Sequence, residues 1–197
     1  MRFLYTISIL LYTLLIRIAS VFNHKAKLWI NGRKDILNQI PSKGTKQKRI
    51  WIHTASLGEF EQGRPIIEAI KKQNPSIHIH LSFFSPSVYE IRKGYEFADS
   101  VSYLPIDTPS RAMKFIQKVD ADLAIFIKYE YWYNLMNEMK KADVPMIMAS
   151  AIFRKNQVFF KPYGFWFAKQ LKSIQHFYVQ NNASLELLSS LGHTNAS

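Results

Sequence analysis

The chain contains no cysteine in 197 residues. That excludes disulfides, thiolate catalysis, and cysteine-based zinc or iron–sulfur sites. It suits a reducing compartment, although periplasmic proteins also dispense with cysteine. Other signatures are missing too. There is no P-loop and no G-x-G-x-x-G. The six histidines at 24, 53, 78, 80, 176 and 193 show no metal-ligand spacing. No internal repeat or low-complexity tract is present. Acidic residues are scarce at one end: residues 1–49 hold ten Lys/Arg against Asp35 alone. The formal charge of +12 is therefore mostly a property of this segment. Such a segment can face nucleic acid or an anionic membrane, and its neighbour decides between them.

That neighbour is apolar. FLYTISILLYTLLI (residues 3–16) carries no charge, and after Arg17 the run continues through IASVF to Phe22. Fourteen residues are short for a span, which needs about 20. Thr6, Thr13, Arg17, Ser20 and His24 recur at spacings that put them on one helical face, opposite Leu, Ile, Phe and Tyr. An interfacial helix and a single span are both open, with a buried core helix as the plain alternative. A signal peptide fits less well, because no A-x-A site follows and the next residues are basic.

Residues 40–49 (IPSKGTKQKR) read as a linker between residues 1–39 and a folded body over 50–197. In the body, strand and helix alternate. Strands are expected at Ile50–Ala55, Ile77–Phe84, Ser100–Pro105, Ala121–Ile127, Pro145–Ala151 and Phe177–Gln180. Helices are expected at Glu59–Lys72, Pro86–Tyr95, Pro109–Lys118, Trp132–Ala142, Val158–Leu171 and Ala183–Leu191, the last closed by Gly192. ADLAIFI and PMIMASA are continuous apolar runs, as strands buried on both faces should be. His78 and His80 alternate with isoleucine and suggest a half-exposed strand. The fold class is α/β: a Rossmann-like parallel sheet with helices on both faces. Ligands in such sheets bind where strand C-termini meet helix N-termini.

Three stretches lie there. In HTASLGEFEQGRP, Ser56-Leu57-Gly58 permits a tight turn and close backbone approach to a ligand. Glu59 stands three residues after Ser56, the spacing of a capping box. It is a cap, a general base, or both. A helix terminus favours the ionised form, so a depressed pKa is expected. In IFIKYEYWYN, Lys128 and Glu130 end a buried strand, either as an ion pair at the rim or as site groups, with Lys128 toward a phosphate. In SAIFRKN, Arg154 is a phosphate or carboxylate ligand, or a surface arginine. The aromatic run 158–167 packs a core or touches lipid more readily than it stacks on bases.

Taken together, HTASLGE–FEQGRP, YLPIDTP, KYEYWYN, SAIFR and VQN, behind an apolar helix, resemble the 3-deoxy-D-manno-octulosonic acid (Kdo) transferases of lipopolysaccharide synthesis. The resemblance covers essentially the whole chain. It implies the N-terminal, acceptor-binding half of a two-domain GT-B glycosyltransferase on the cytoplasmic face of the inner membrane. It implies Kdo transfer from CMP-Kdo to lipid IVA, with no metal, no cofactor and no nucleic acid. Glu59 matches the family's proposed general base, and Glu130 its second important glutamate. Trp132 and Asn134 match as well. Lys128 stands where the family has a glutamate, and Tyr133 where it has a proline, so Lys128 inherits no carboxylate role. The candidate site is thus Glu59 and Glu130 for catalysis, with Ser56, Gly58, Lys128 and Arg154 for substrate. The family's donor site lies mainly in a C-terminal domain absent from these residues. Alone, the chain is expected to turn over little, and a non-catalytic membrane-peripheral module for a lipid or sugar phosphate is the alternative.

Overall fold

A computed structural model describes residues 1–197. Six parallel strands form one sheet: β1 (Arg49–Thr54), β2 (His78–Phe83), β3 (Ser100–Tyr103), β4 (Leu123–Ile127), β5 (Met146–Ala151) and β6 (His176–Val179). Their order is β3-β2-β1-β4-β5-β6. Strand order reverses between β1 and β4, which pair in parallel from Ile50↔Leu123 to His53↔Phe126. In such a sheet the crevice outside the carboxyl ends of these two strands is the ligand position. The expected fold class is the observed one.

Six helices follow the strands: α3 (Leu57–Gln73), α4 (Pro86–Arg92), α5 (Pro109–Val119), α6 (Tyr133–Lys141), α7 (Phe165–Leu171) and α8 (Asn182–Ser190). The period-2 geometry of strands sends alternate residues to opposite faces. Trp51, Phe126 and Met148 join Phe115 of α5 and Leu135 of α6 in one core. Ile52, Leu81 and Ile125 join Phe60 and Ile67 of α3 in the other. Gly63 lets α3 approach closely: a Cβ there would stand 3.0 Å from Ile127 Cγ1.

The histidine expectation fails. His78 and His80 are buried, because β2 is covered on both faces. Their imidazoles bond Ser100 Oγ at 3.0 and 2.9 Å. Burial pushes His80 down to about 3, so it stays neutral. The single helix expected over Val158–Leu171 is also wrong. Two 3-10 turns, Val158–Phe160 and Pro162–Gly164, precede α7. Pro162 forces Lys161 extended (ψ 151°), and the Gly164 backbone presses on the Val158 carbonyl, where no Cβ fits.

The N-terminal segment forms α1 (Arg2–Ala19), α2 (His24–Asn31) and a 3-10 turn at Ile36–Gln39. Helix α2 was not expected within the basic flank; Asn23 caps it, accepting from Ala26 N at 3.0 Å. One face of α1 docks on the body. Arg2 Nε donates to Asn134 Oδ1 at 2.7 Å, and Tyr5 Oη donates to Asp107 Oδ2 at 2.6 Å. Thr6 Oγ1 accepts from Asn134 Nδ2 at 3.2 Å, and Thr13 is buried. The other face is bare: Phe3, Leu4, Leu11, Leu15 and Ile18 are all exposed. By length and composition α1 is apolar enough to cross a membrane.

Candidate active site

The crevice between β1 and β4 holds the opening motif. Ser56 is the N-cap of α3, in extended backbone, and its side chain accepts from Glu59 N at 3.5 Å. Glu59 reciprocates: its Oε2 accepts from Ala55 N at 2.7 Å and Ser56 N at 3.1 Å. The capping box is therefore formed. Glu59 is nevertheless not the strongly ionised cap expected from local sequence. Burial and the nearby Glu130 carboxylate raise its pKa, and the two backbone N–H bonds only partly offset them. A cap at 6% exposure has lost the water that would favour its charge. The same shift brings it nearer the pH at which a base is useful.

Glu130 reaches the crevice from the segment after β4. Trp132 Nε1 donates to its Oε2 at 2.8 Å. His53 Nε2 lies 3.5 Å from the same oxygen. His53 is the residue that sequence reasoning missed. It ends no motif and sits one residue before the strand terminus, fully buried. Trp51 Nε1 donates to Ser82 Oγ at 2.8 Å, and that hydroxyl lies 2.9 Å from His53 Nδ1. Nδ1 also lies 3.1 Å from the Ser82 carbonyl, which can only accept, and Nε2 has no hydrogen-bond partner. Two buried side chains on β1 and β2 thus hold the imidazole with Nε2 beside the carboxylate. Only the strand register, His53 opposite Ser82, brings them together.

The Lys128–Glu130 ion pair does not form. Lys128 is half-buried in the left-handed region at φ 67°, and no carboxylate lies within 4.0 Å of it among the ion pairs. Ser150, at the end of β5, is also left-handed, at φ 57°. Strained non-glycine backbone at adjacent strand ends is a mark of a shaped site. Gly58 is not where the chain turns. It lies in the first turn of α3 without positive φ, and a Cβ there would meet nothing within 4 Å. Its role is limited to leaving that side of the helix start open.

Arg154 is not brought to the carboxylates. It is exposed and lines a separate, larger cleft of about 910 Å³, over Phe153, Phe160 and Leu187. Glu130 instead opens into a cleft of about 400 Å³ walled by Tyr5 and Ile9 of α1 and by Tyr129, Trp132 and Val158. Size alone favours the first cleft; the strand-order reversal and the presence of Glu130 favour the second. No three His, Asp or Glu side chains converge as a metal ion requires.

The family model described as 3-deoxy-D-manno-octulosonic-acid transferase (kdotransferase) matches residues 31–197. A 3-deoxy-D-manno-octulosonic acid transferase of Haemophilus influenzae is 34% identical over 104 residues, 52% of this chain and 24% of that protein. One from Aquifex aeolicus is 32% identical over 103 residues, 52% of this chain and 28% of that protein. A bifunctional glycosyltransferase/methyltransferase of Fusobacterium nucleatum is 27% identical across 92% of this chain and 29% of its own length. The matches thus span about a quarter to a third of these relatives. Among solved structures, a putative UDP-N-acetylglucosamine 2-epimerase from Listeria monocytogenes superposes with TM-score 0.57 at 11% identity. It covers 77% of this chain and 45% of that one, and shares its fold.

Proposed function

The chain belongs to the 3-deoxy-D-manno-octulosonic-acid transferase family of glycosyltransferases, and from that premise we propose that it is the acceptor-binding half of an enzyme transferring Kdo from CMP-Kdo to lipid IVA. The observation that carries this reading is the buried Glu59, capped yet raised in pKa, beside Glu130 at the sheet's topological switch. Glu59 takes the proton of the acceptor's primary hydroxyl as that oxygen attacks the anomeric carbon of Kdo. The bond to phosphate breaks, and CMP leaves as a stabilised anion that needs little acid assistance. Glu130 maintains the basicity of Glu59 by like-charge proximity and is itself oriented by Trp132 and His53. Ser56 fixes the Glu59 rotamer, and the open side of Gly58 admits the acceptor.

Lys128, free of any carboxylate, meets an acceptor phosphate. Arg154 meets an anionic group in the outer cleft, away from the reacting atoms. The reading requires no metal or resident cofactor and no nucleic acid. The donor is bound chiefly by a further domain. The bare face of α1 supports attachment to the cytoplasmic face of the inner membrane, with the helix lying in the interface.

The test is Glu59→Gln in an enzyme assembled with a donor domain. Glutamine retains an acceptor for the capping box but is no base. Loss of Kdo transfer with no fall in melting temperature supports the reading; full turnover makes Glu59 a cap only. A second reading, a lipid-binding module without turnover, rests on the same bare face of α1 and requires neither carboxylate. It predicts that Glu59→Gln changes nothing.

A further inference from the structure

Helix α1 does more than present an apolar face. Arg2, Tyr5, Thr6 and Ile9 recur at i, i+3, i+4 and i+7, on one side of the helix. Tyr5 and Ile9 wall the cleft into which Glu130 opens. The three polar residues grip one point of the body, the start of α6. Tyr5 Oη donates to Asp107 Oδ2 at 2.6 Å. Arg2 Nε donates to Asn134 Oδ1 at 2.7 Å, and Asn134 Nδ2 donates to Thr6 Oγ1 at 3.2 Å. Trp132, the N-cap of α6, supplies no side-chain cap, because an indole only donates. Asp107, from the loop after β3, caps the helix instead. Its Oδ2 accepts from Asn134 N at 3.0 Å and its Oδ1 from Leu135 N at 2.8 Å. Asp107 is 1% exposed and belongs to no ion pair. A buried carboxylate without a counter-ion depends on every donor it has. Tyr5 is the donor that α1 supplies.

We propose that Tyr5 and Asp107 are positioning residues, whose hydrogen bond makes the placement of Glu130 depend on the docking of α1. The links are short. Tyr5 completes the shell of Asp107, and Asp107 sets the first turn of α6. That turn begins at Trp132, whose indole holds Glu130 Oε2 at 2.8 Å. The Tyr5 ring also packs edge-on against Tyr133, the first residue of α6, at 4.9 Å. When α1 leaves the body, Asp107 loses a donor, the cleft loses a wall, and water competes for the cap. The inference rests on Glu130 being a site carboxylate and adds a control to it: the helix with the bare apolar face also closes the cleft and holds the glutamate in place.

The full chain, isotope-labelled at the indole nitrogens, would be studied by NMR in phosphatidylcholine nanodiscs. Its 4 tryptophans give separate N–H signals, and that of Trp132 is identified by its loss in Trp132→Phe. Tyr5→Phe keeps the ring contact and removes the hydroxyl. It should speed hydrogen exchange at the Trp132 indole about tenfold, and Asp107→Asn should do so at least as much. The Trp51 indole, bonded to Ser82 inside the sheet, should stay unchanged and so report an intact body. If Asp107→Asn fails to fold, Tyr5→Phe decides the matter alone. Tyr12→Phe, a hydroxyl lost from an exposed residue of the same helix, should leave Trp132 as it is. Tyr5→Phe/Asp107→Asn should exchange no faster than Asp107→Asn, because one bond joins the two. Unchanged Trp132 exchange in Tyr5→Phe, or multiplied effects in the double variant, overturns the coupling. In an enzyme assembled with a donor domain, Tyr5→Phe should lower kcat with KM little altered. A rise in KM alone would make α1 a binding wall and overturn the positioning role. The exchange measurements involve no transfer, so a fully active Glu59→Gln would refute the general base and leave them standing.

Discussion

The two edges of the sheet carry charge in opposite ways. At the amino edge Asp122, Arg49 and Asp99 all have partners. Asp122 accepts from Arg49 N at 2.7 Å and pairs with Lys43 at 2.8 Å and Lys48 at 3.1 Å. Arg49, fully buried, donates to the carbonyls of Val119 and Pro41. Asp99 pairs with Lys71 at 2.6 Å and accepts from Ile79 N. At the carboxyl edge, Glu130 lies close enough to raise Glu59, neither carboxylate has a lysine or arginine partner, and Lys128 stands without a carboxylate. The protonation behaviour divides likewise. Lys43, Lys48 and the Arg49 N–H hold Asp122 down at about 2 against the pull of burial, whereas Glu59 is raised. One edge pairs its charges; the other leaves two carboxylates and a lysine without a partner of opposite charge among lysines, arginines and carboxylates.

The largest effect should separate the edges by activity. Glu59→Gln is expected to cut transfer about 10²–10⁴-fold, the usual weight of general base catalysis, while Asp122→Asn leaves the chemistry intact. Radiolabelled Kdo transfer measures both, and a comparable loss in the two variants would break the comparison. Stability should reverse the order. Asp122→Ala strands the Arg49 backbone N–H and two lysines, costing about 1–3 kcal/mol in urea unfolding. Glu59→Gln should cost close to nothing, since it removes a desolvated charge and retains the box.

The pH dependence of stability sharpens this contrast. Asp122 has its folded pKa below the unfolded value. Its contribution is present above the ordinary aspartate range and is lost as pH falls through 3.8 toward about 2. Glu59 has its folded pKa above the unfolded value. Its contribution is present below the ordinary glutamate range and is lost as pH rises through its raised folded value. Melting curves should therefore show Asp122→Asn flattening the acid limb, and Glu59→Gln raising stability on the neutral side. The opposite sign at Glu59 would mean that its backbone hydrogen bonds outweigh burial.

Much of this was legible in the sequence, for local reasons. Six strands and most helices follow from apolar runs and from proline at helix starts such as Pro86 and Pro109. Ser56 and Glu59 announce their capping box by spacing alone. What was not legible depends on residues distant in sequence. The sign of the Glu59 shift comes from burial first and then from Glu130, brought in by the β1–β4 pairing. His53 acquires its orientation from Ser82 on the neighbouring strand. Arg154 follows a buried strand as expected, but chain direction after β5 takes it to a different cleft. The burial of His78 and His80 required knowing that β2 lies between two strands.

The smallest expected effect tests how firmly the carboxyl edge is organised. Trp132 donates to Glu130 and also lies against Phe84, 4.9 Å between ring centroids. Phe84 in turn lies 5.8 Å from Trp29 and 5.1 Å from the Arg33 guanidinium. Trp132→Phe keeps the ring contact and removes the N–H. A single hydrogen bond to a charged group is worth roughly 1.5–3 kcal/mol, but His53 still faces the same oxygen, so the loss should fall at or below that range. Without its donor the Glu130 carboxylate is no longer held in place, and the repulsion that raises Glu59 weakens. The acid limb of the pH–rate profile, set by deprotonation of the Glu59 base, would then move to lower pH, with kcat lowered more than KM is raised. A merely structural Trp132 would lower the melting temperature and leave the profile where it was. Phe84→Leu, which breaks the ring contact and spares the N–H, should do the reverse: it loosens the docking of α2 and changes the profile little. If both variants shift the profile alike, Glu130 is held by the aromatic stack as a whole and not by the indole proton.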